Sequence, residues 1–164
     1  MNGEKVCKTD NEMELVFSAV SSNESLARVA VAAFITEKNP TLEELSDIKT
    51  AVSEAVTNAI IHGYGNDRKT SKEMNTTDKV WLRCHFAGNH LTVEVEDRGV
   101  GIENIKQAME PLFTTRPEQE RSGMGFSFME AFMDELEVDS TPGIGTVIKM
   151  RKEIGHNPWI YEEE

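Results

Sequence analysis

Hydrophobic positions along the chain change period several times, and each change marks an element. From Met13 to Val20 the residues Met13, Leu15 and Phe17 alternate with Glu14, Val16 and Ser18, which predicts a strand. Ser21-Ser22-Asn23-Glu24 places a serine three residues ahead of a glutamate, the spacing of a capping box. A helix from about Asn23 to Lys38 follows, and Asn39-Pro40 ends it. Thr41-Leu42-Glu43-Glu44 repeats the signal before a second helix, about Leu42 to His62, with Leu45, Ile48, Val52, Ala55, Val56 and Ala59 at helical spacing. Lys79 to Phe86 and His90 to Glu96 read as strands joined at Gly88-Asn89. Ile102 to Met109 predicts a short helix. Met124 to Leu136 predicts a longer one, with Phe126, Met129, Phe132 and Met133 on one side. Glu137 to Ser140 and Thr146 to Met150 are strands around Thr141-Pro142-Gly143-Ile144-Gly145.

Between these elements, Gly63 to Asp78 is polar and reads as a solvated loop. Glu110 to Ser122 has no clean period and reads as a long loop. A single domain over 13–152 is expected, with flexible tails at 1–12 and 153–164. The order is strand, two helices, two strands, loop, helix, two strands. It predicts an α+β two-layer sandwich, with a mixed, mainly antiparallel sheet and helices on one face, and not a doubly wound parallel sheet.

Composition narrows the partners. Hydrophobic residues make up 38% of 164, enough for a core, and 17 Lys plus Arg face 29 acidic residues for a net charge of −12. Such a chain is repelled by nucleic-acid phosphates, so direct nucleic-acid binding through a broad basic surface is not expected. Cys7 and Cys84 have no metal spacing and suit a reducing compartment. No apolar run approaches the ~20 residues of a membrane helix. A cytoplasmic protein without a membrane partner is expected.

Three short motifs carry candidate chemistry. Glu54 and Asn58 are four apart on the second helix and share a face away from the Leu45–Ile48–Val52 stripe. An asparagine carbonyl suits Mg²⁺, which takes few protein ligands. A carboxylate one turn earlier can accept a proton from an attacking hydroxyl. Alone, the pair reads first as a solvated face of an amphipathic helix. Asp97-Arg98-Gly99-Val100-Gly101 follows a strand, where a carboxylate can accept from an exocyclic amine and glycines permit close backbone approach. An ordinary strand exit reads the same way. Gly123-Met124-Gly125 opens a helix, where free N–H groups favour phosphate. The loop before it carries Thr114-Thr115-Arg116 and Glu120-Arg121-Ser122. Thr115 can donate to a phosphate, and Arg116 or Arg121 can stabilise its charge. Walker and Rossmann patterns are absent.

Taken in this order, the motifs resemble the three boxes of the ATPase/kinase superfamily shared by gyrase-type topoisomerases, Hsp90-type chaperones, histidine kinases and MutL. The chain is more similar still to the sporulation anti-sigma-F family of serine kinases, from Met13 to about Arg151. Ser53 to Gly63 looks like that family's first box, and Leu112 to Glu118 with Glu120 to Phe126 like its lid and third box. The resemblance implies a Bergerat-type ATP-binding fold that uses ATP/ADP and Mg²⁺. Glu54 would be the general base toward a serine hydroxyl, and Asn58 the metal ligand. Asp97 would meet the adenine amine with Thr146 nearby. Gly99, Gly101, Gly123, Met124 and Gly125 would shape the pocket, and Thr115 and Arg121 would meet the phosphates. The implied partners are a sigma factor, an anti-anti-sigma factor as protein substrate, and a second copy of the chain in a homodimer. The alternative is a nucleotide-dependent sigma-binding module without kinase turnover. A histidine kinase half is not expected, because 164 residues leave no room for a preceding two-helix dimerisation domain.

The first helix adds a second candidate surface. Leu26 to Ile35 is apolar nearly all round, where a two-layer domain needs one stripe. It predicts either an interface or a helix buried on both sides. The resemblance favours the interface, with Arg28 at a partner-contacting position.

Overall fold

The computed structural model describes residues 9–65, 77–110 and 125–155. Among the described residues, five strands form one sheet: β1 (Asn11–Ser18), β2 (Lys79–Ala87), β3 (His90–Asp97), β4 (Glu135–Thr141) and β5 (Gly145–Glu153). Their spatial order is β1-β2-β3-β5-β4, and every pairing among them is antiparallel. The helices are α1 (Asn23–Ile35), α2 (Leu42–Asn58), the short α3 (Ile105–Ala108) and α4 (Gly125–Phe132). This is the α+β sandwich expected from the element order.

Alternation decides which face of the sheet is covered. Along β2, Val80, Leu82, Cys84 and Phe86 are buried, while Trp81, Arg83 and His85 between them are only partly so. The buried set meets Ala27, Val31 and Ile35 of α1 and Ile48, Val52 and Val56 of α2, all fully buried, in one core. Phe34 stacks on Phe86 with ring centroids 5.3 Å apart. The opposite face carries charge pairs, such as Arg83 to Glu14 at 2.6 Å and to Glu96 at 2.7 Å. α2 is the central helix and packs on both α1 and α4. On the α1 face away from the core, Leu26 and Val29 stay exposed, so among the described residues nothing buries this helix on both sides.

The two capping signals part company. At Thr41 the full box forms: its hydroxyl accepts from the Glu44 N–H, and the Glu44 carboxylate accepts from the Thr41 N–H. At α1 the N-cap is Ser22, with no side-chain cap bond. Glu24 instead accepts from the Ser53 hydroxyl on α2 and pairs with Arg28 one turn along α1 at 3.7 Å. Two boundaries also move. Regular α2 ends at Asn58 and continues as a π-helical segment, Ala59–Gly63. α4 ends at Phe132, not at Leu136, because Leu136 pairs across the sheet with Met150.

Candidate functional site

At one end of the site, β3 stops pairing at Asp97, directly opposite Thr146 of β5. Asp97 is only 6% exposed. Its carboxylate accepts from the Gly99 N–H at 2.9 Å and from the Thr146 N–H. Burial outweighs those donors and, with Glu96 adjacent, pushes its pKa up to about 6. Space for the carboxylate comes from Gly63, where a Cβ would sit 2.8 Å from the Asp97 carboxyl carbon.

The turn that follows is anchored almost residue by residue. The Arg98 N–H donates to the Tyr64 hydroxyl at 2.7 Å, and that hydroxyl donates to the Lys79 carbonyl at 2.6 Å. The Val100 N–H reaches the Gly63 carbonyl at 3.0 Å, and the Val100 carbonyl accepts from the Gly143 N–H at 2.8 Å. The Ile102 N–H donates to the Ser140 hydroxyl at 2.8 Å. These donors are spent inside the fold, so the turn acts as a wall and not as a phosphate cradle. Its glycines serve close approach. A Cβ on Gly99 would collide with the Gly63 carbonyl. Gly101 holds φ at +72° against the Thr141 carbonyl.

At the other end, α2 presents Glu54 and Asn58 one turn apart, both half-buried. Gly125, the first described residue of α4, lies over them. A Cβ there would be 3.2 Å from Glu54 Oε2 and 3.5 Å from Asn58 Oδ1. The sequence spacing that put Glu54 beside Asn58 is therefore joined by a residue 67 positions beyond Asn58 (125 − 58).

Between the two ends lies a cavity of about 400 Å³, within the range of small-molecule pockets. Asn58, Asp97, Gly101, Gly125 and Thr146 line it, together with Ile102 and Phe126. Glu54 and Gly99 do not; Glu54 sits beside Asn58 below Gly125, and Gly99 works from behind the wall. Arg28 lies elsewhere, in a hollow of about 390 Å³ with Leu42, Leu45, Lys49 and Ser53. Thr115, Arg116, Arg121, Gly123 and Met124 lie outside the described residues.

The donor set fits an adenine nucleotide. A carboxylate has about four lone-pair sites, so two backbone donors leave Asp97 able to accept from an amine in the cavity. Asn58 offers a neutral oxygen at the far end, the type of ligand Mg²⁺ accepts. Tyr64 and Ser140 were not legible as site residues. Their hydroxyls act on backbone groups 34 and 38 positions away, and nothing local marks them. Gly63 had a weak signal, a glycine directly after a helix.

Residues 17–152 match the histidine kinase-like ATPase domain. An anti-sigma F factor of Thermoanaerobacter sp. (strain X514) is 56% identical over 145 residues, covering 88% of this chain and 95% of the relative. One from Oceanobacillus iheyensis is 49% identical over 151 residues, covering 92% and 98%. Among solved structures, the RsbU and RsbW domains of a Mycobacterium tuberculosis protein align with a TM-score of 0.61 at 19% identity, over 88% of this chain and 32% of that one. The catalytic domain of the histidine kinase ThkA aligns with a TM-score of 0.51 at 16% identity, over 88% and 96%. At these identities the structural likeness speaks for the fold alone. Among the described residues, no helix is long and apolar enough to cross a membrane.

Proposed function

This chain belongs to the histidine kinase-like ATPase family and, within it, to the anti-sigma F factors; on that premise we propose that it binds an RNA polymerase sigma factor and phosphorylates a serine of an anti-anti-sigma protein from ATP. The observation that carries the reading is the convergence on one cavity of Asp97 and Thr146 at one end with Asn58 and Gly125, next to Glu54, at the other.

Each residue then has a task. Asp97 accepts from the adenine amine and orients the base, with Thr146 beside it. Gly99 and Gly101 keep that wall in place. Asn58 holds Mg²⁺, and Gly125 lets the start of α4 come close to the phosphate end. Bound Mg²⁺ supplies charge neutralisation on the phosphate oxygens. Glu54 accepts the proton of the incoming serine hydroxyl. Phosphoryl transfer depends mostly on placement and charge stabilisation, with a positioned base adding about 10²–10⁴-fold. Thr115 and Arg121 are assigned to the phosphates, and Gly123 and Met124 to the glycine box that ends at Gly125.

Partner binding is assigned to α1, where exposed Leu26 and Val29 flank Arg28 and its hollow. The same face is offered to a second copy in a homodimer. Because this surface is separate from the cavity, a sigma-binding module without turnover is the second reading. One experiment separates the two: incubation with γ-labelled ATP, Mg²⁺, a candidate anti-anti-sigma protein and a sigma factor. Label on a serine supports the kinase. Nucleotide-dependent sigma capture without label supports the module. Absence of both label and capture would remove both readings.

A further inference from the structure

Asp97 can recognise an amine only if its carboxylate is held in one place, and the structure assigns that task to two hydroxyls that do not line the cavity: we propose that Tyr64 and Ser140 are positioning residues that set the preference of the site for an adenine base. The inference rests on the nucleotide reading above.

Tyr64 follows the π-helical segment and reaches under the turn. Its hydroxyl accepts from the N–H of Arg98, the residue next to Asp97, and donates a hydrogen bond to the Lys79 carbonyl at the start of β2. One hydroxyl thereby ties three elements: the π-helical segment after α2, the entry of β2 and the exit of β3. Burial raises the pKa of the phenol, so it stays a donor throughout the neutral range. On the other side of the turn, the Ser140 hydroxyl accepts from Ile102, which lines the cavity. It stands 3.0 Å from the Gly145 carbonyl and 2.8 Å from the Thr146 hydroxyl. The two hydroxyls grip the turn at positions 98 and 102, one on each flank of Gly99 and Gly101. Between them, Val100 is held by Gly63 and Gly143. Glycines at 99 and 101 leave the backbone free to wander unless it is tied, and these ties supply the restraint.

The Arg98 side chain reinforces the Tyr64 flank. Its guanidinium lies 4.0 Å from the Trp81 ring centroid and 3.4 Å from Glu96, so the residue beside Asp97 is fixed through both backbone and side chain. Tyr64 and Ser140 act on the turn beside Asp97, whereas Glu54 and Asn58 lie under Gly125. Loosening the wall should therefore affect which base binds, and leave phosphate transfer from saturating ATP nearly unchanged.

The test compares ADP with IDP, which lacks the exocyclic amine, by calorimetry on the full chain. The parent protein is expected to favour ADP. Tyr64→Phe and Ser140→Ala are each expected to reduce the ADP:IDP affinity ratio by roughly three- to tenfold, the worth of one well-made hydrogen bond. The loss should appear as a higher KM for ATP at near-constant kcat. Thr41→Ala is the control. It removes the α2 cap far from the wall and should lower stability without changing the ratio. If one hydroxyl variant fails to fold, the other carries the test alone. A parent preference for ADP that both variants retain overturns the positioning role only. A parent protein without any preference overturns it together with the adenine role of Asp97.

Discussion

The two ends of the cavity are built on opposite terms. At the Asp97 end the groups are buried, and the backbone is tied to neighbours at 98, 99, 100 and 102. At the Glu54 end two half-buried side chains project from a regular helix, and a glycine of α4 lies over them. Recognition of a flat, rigid base rewards a fixed wall, because every loosened bond weakens discrimination. Chemistry on a phosphate that must accept an incoming alcohol suits groups that keep some access to solvent and partner. On the proposed reading, the difference predicts that affinity and turnover can be altered separately in this domain.

The largest effect should come from the reactive end. Glu54→Gln is expected to lower serine phosphorylation about 10²–10⁴-fold while ADP affinity stays within about twofold. Radiolabel transfer and calorimetry on the same preparation check it. Equal losses in both would mean that the two ends do not separate.

Next, Gly99→Ala attacks the wall. The added methyl has no room against the Gly63 carbonyl, so destabilisation of about 3 kcal/mol is expected, together with loss of ADP binding. Urea unfolding measures it. A wild-type midpoint would show that the turn is far softer than its bonding indicates.

Asp97→Asn sharpens the contrast through pH. The Asp97 pKa rises from 3.8 to about 6 on folding, so its contribution to stability is fully present below pH 3.8 and is lost as pH rises through about 6. Above that, the buried charge costs the empty domain up to about 3 kcal/mol. The amide variant should therefore be more stable than the parent at pH 8 in urea titrations, with the gap closing below pH 6. It should also lose adenine preference, because an amide N–H₂ would face the donor amine. In the parent protein, ADP affinity should fall as pH drops through about 6, as the carboxylate gains a proton.

The smallest effect concerns the helix starts. Thr41→Ala should destabilise by about 1 kcal/mol and Ser22→Ala by almost nothing, since only the former makes a cap bond. Thermal unfolding resolves the pair. Unchanged ADP binding in both would show that global stability is not what distinguishes the two ends.

This last pair also marks how far the sequence could be read. Thr41 and Ser21 carry the same local signal, yet Glu24 is taken by Ser53 of α2, and no local rule announces that. Element type and order were legible because period 2 and period 3.6 are strong signals. Boundaries were less so where a tertiary partner decides, as at Leu136, which the sheet claims through Met150. In the site, Glu54 with Asn58 was legible because four residues make one helical turn. Asp97 with Thr146 depended on the family resemblance, and strand register now gives the physical reason. Tyr64 and Ser140 were invisible because a hydroxyl that binds distant backbone leaves no pattern of its own.

The wide turn at Ala59–Gly63 has a consequence for how this region can vary. Five residues there follow an i→i+5 geometry, one residue more than a regular helix would spend. Taking out any single one would tighten the coil and swing Tyr64 around the axis by roughly 100°. Its hydroxyl would then face away from Arg98. Exchanging side chains in this stretch is a matter of packing, but its length works as a ruler, and natural variants should preserve the count even where they replace the letters.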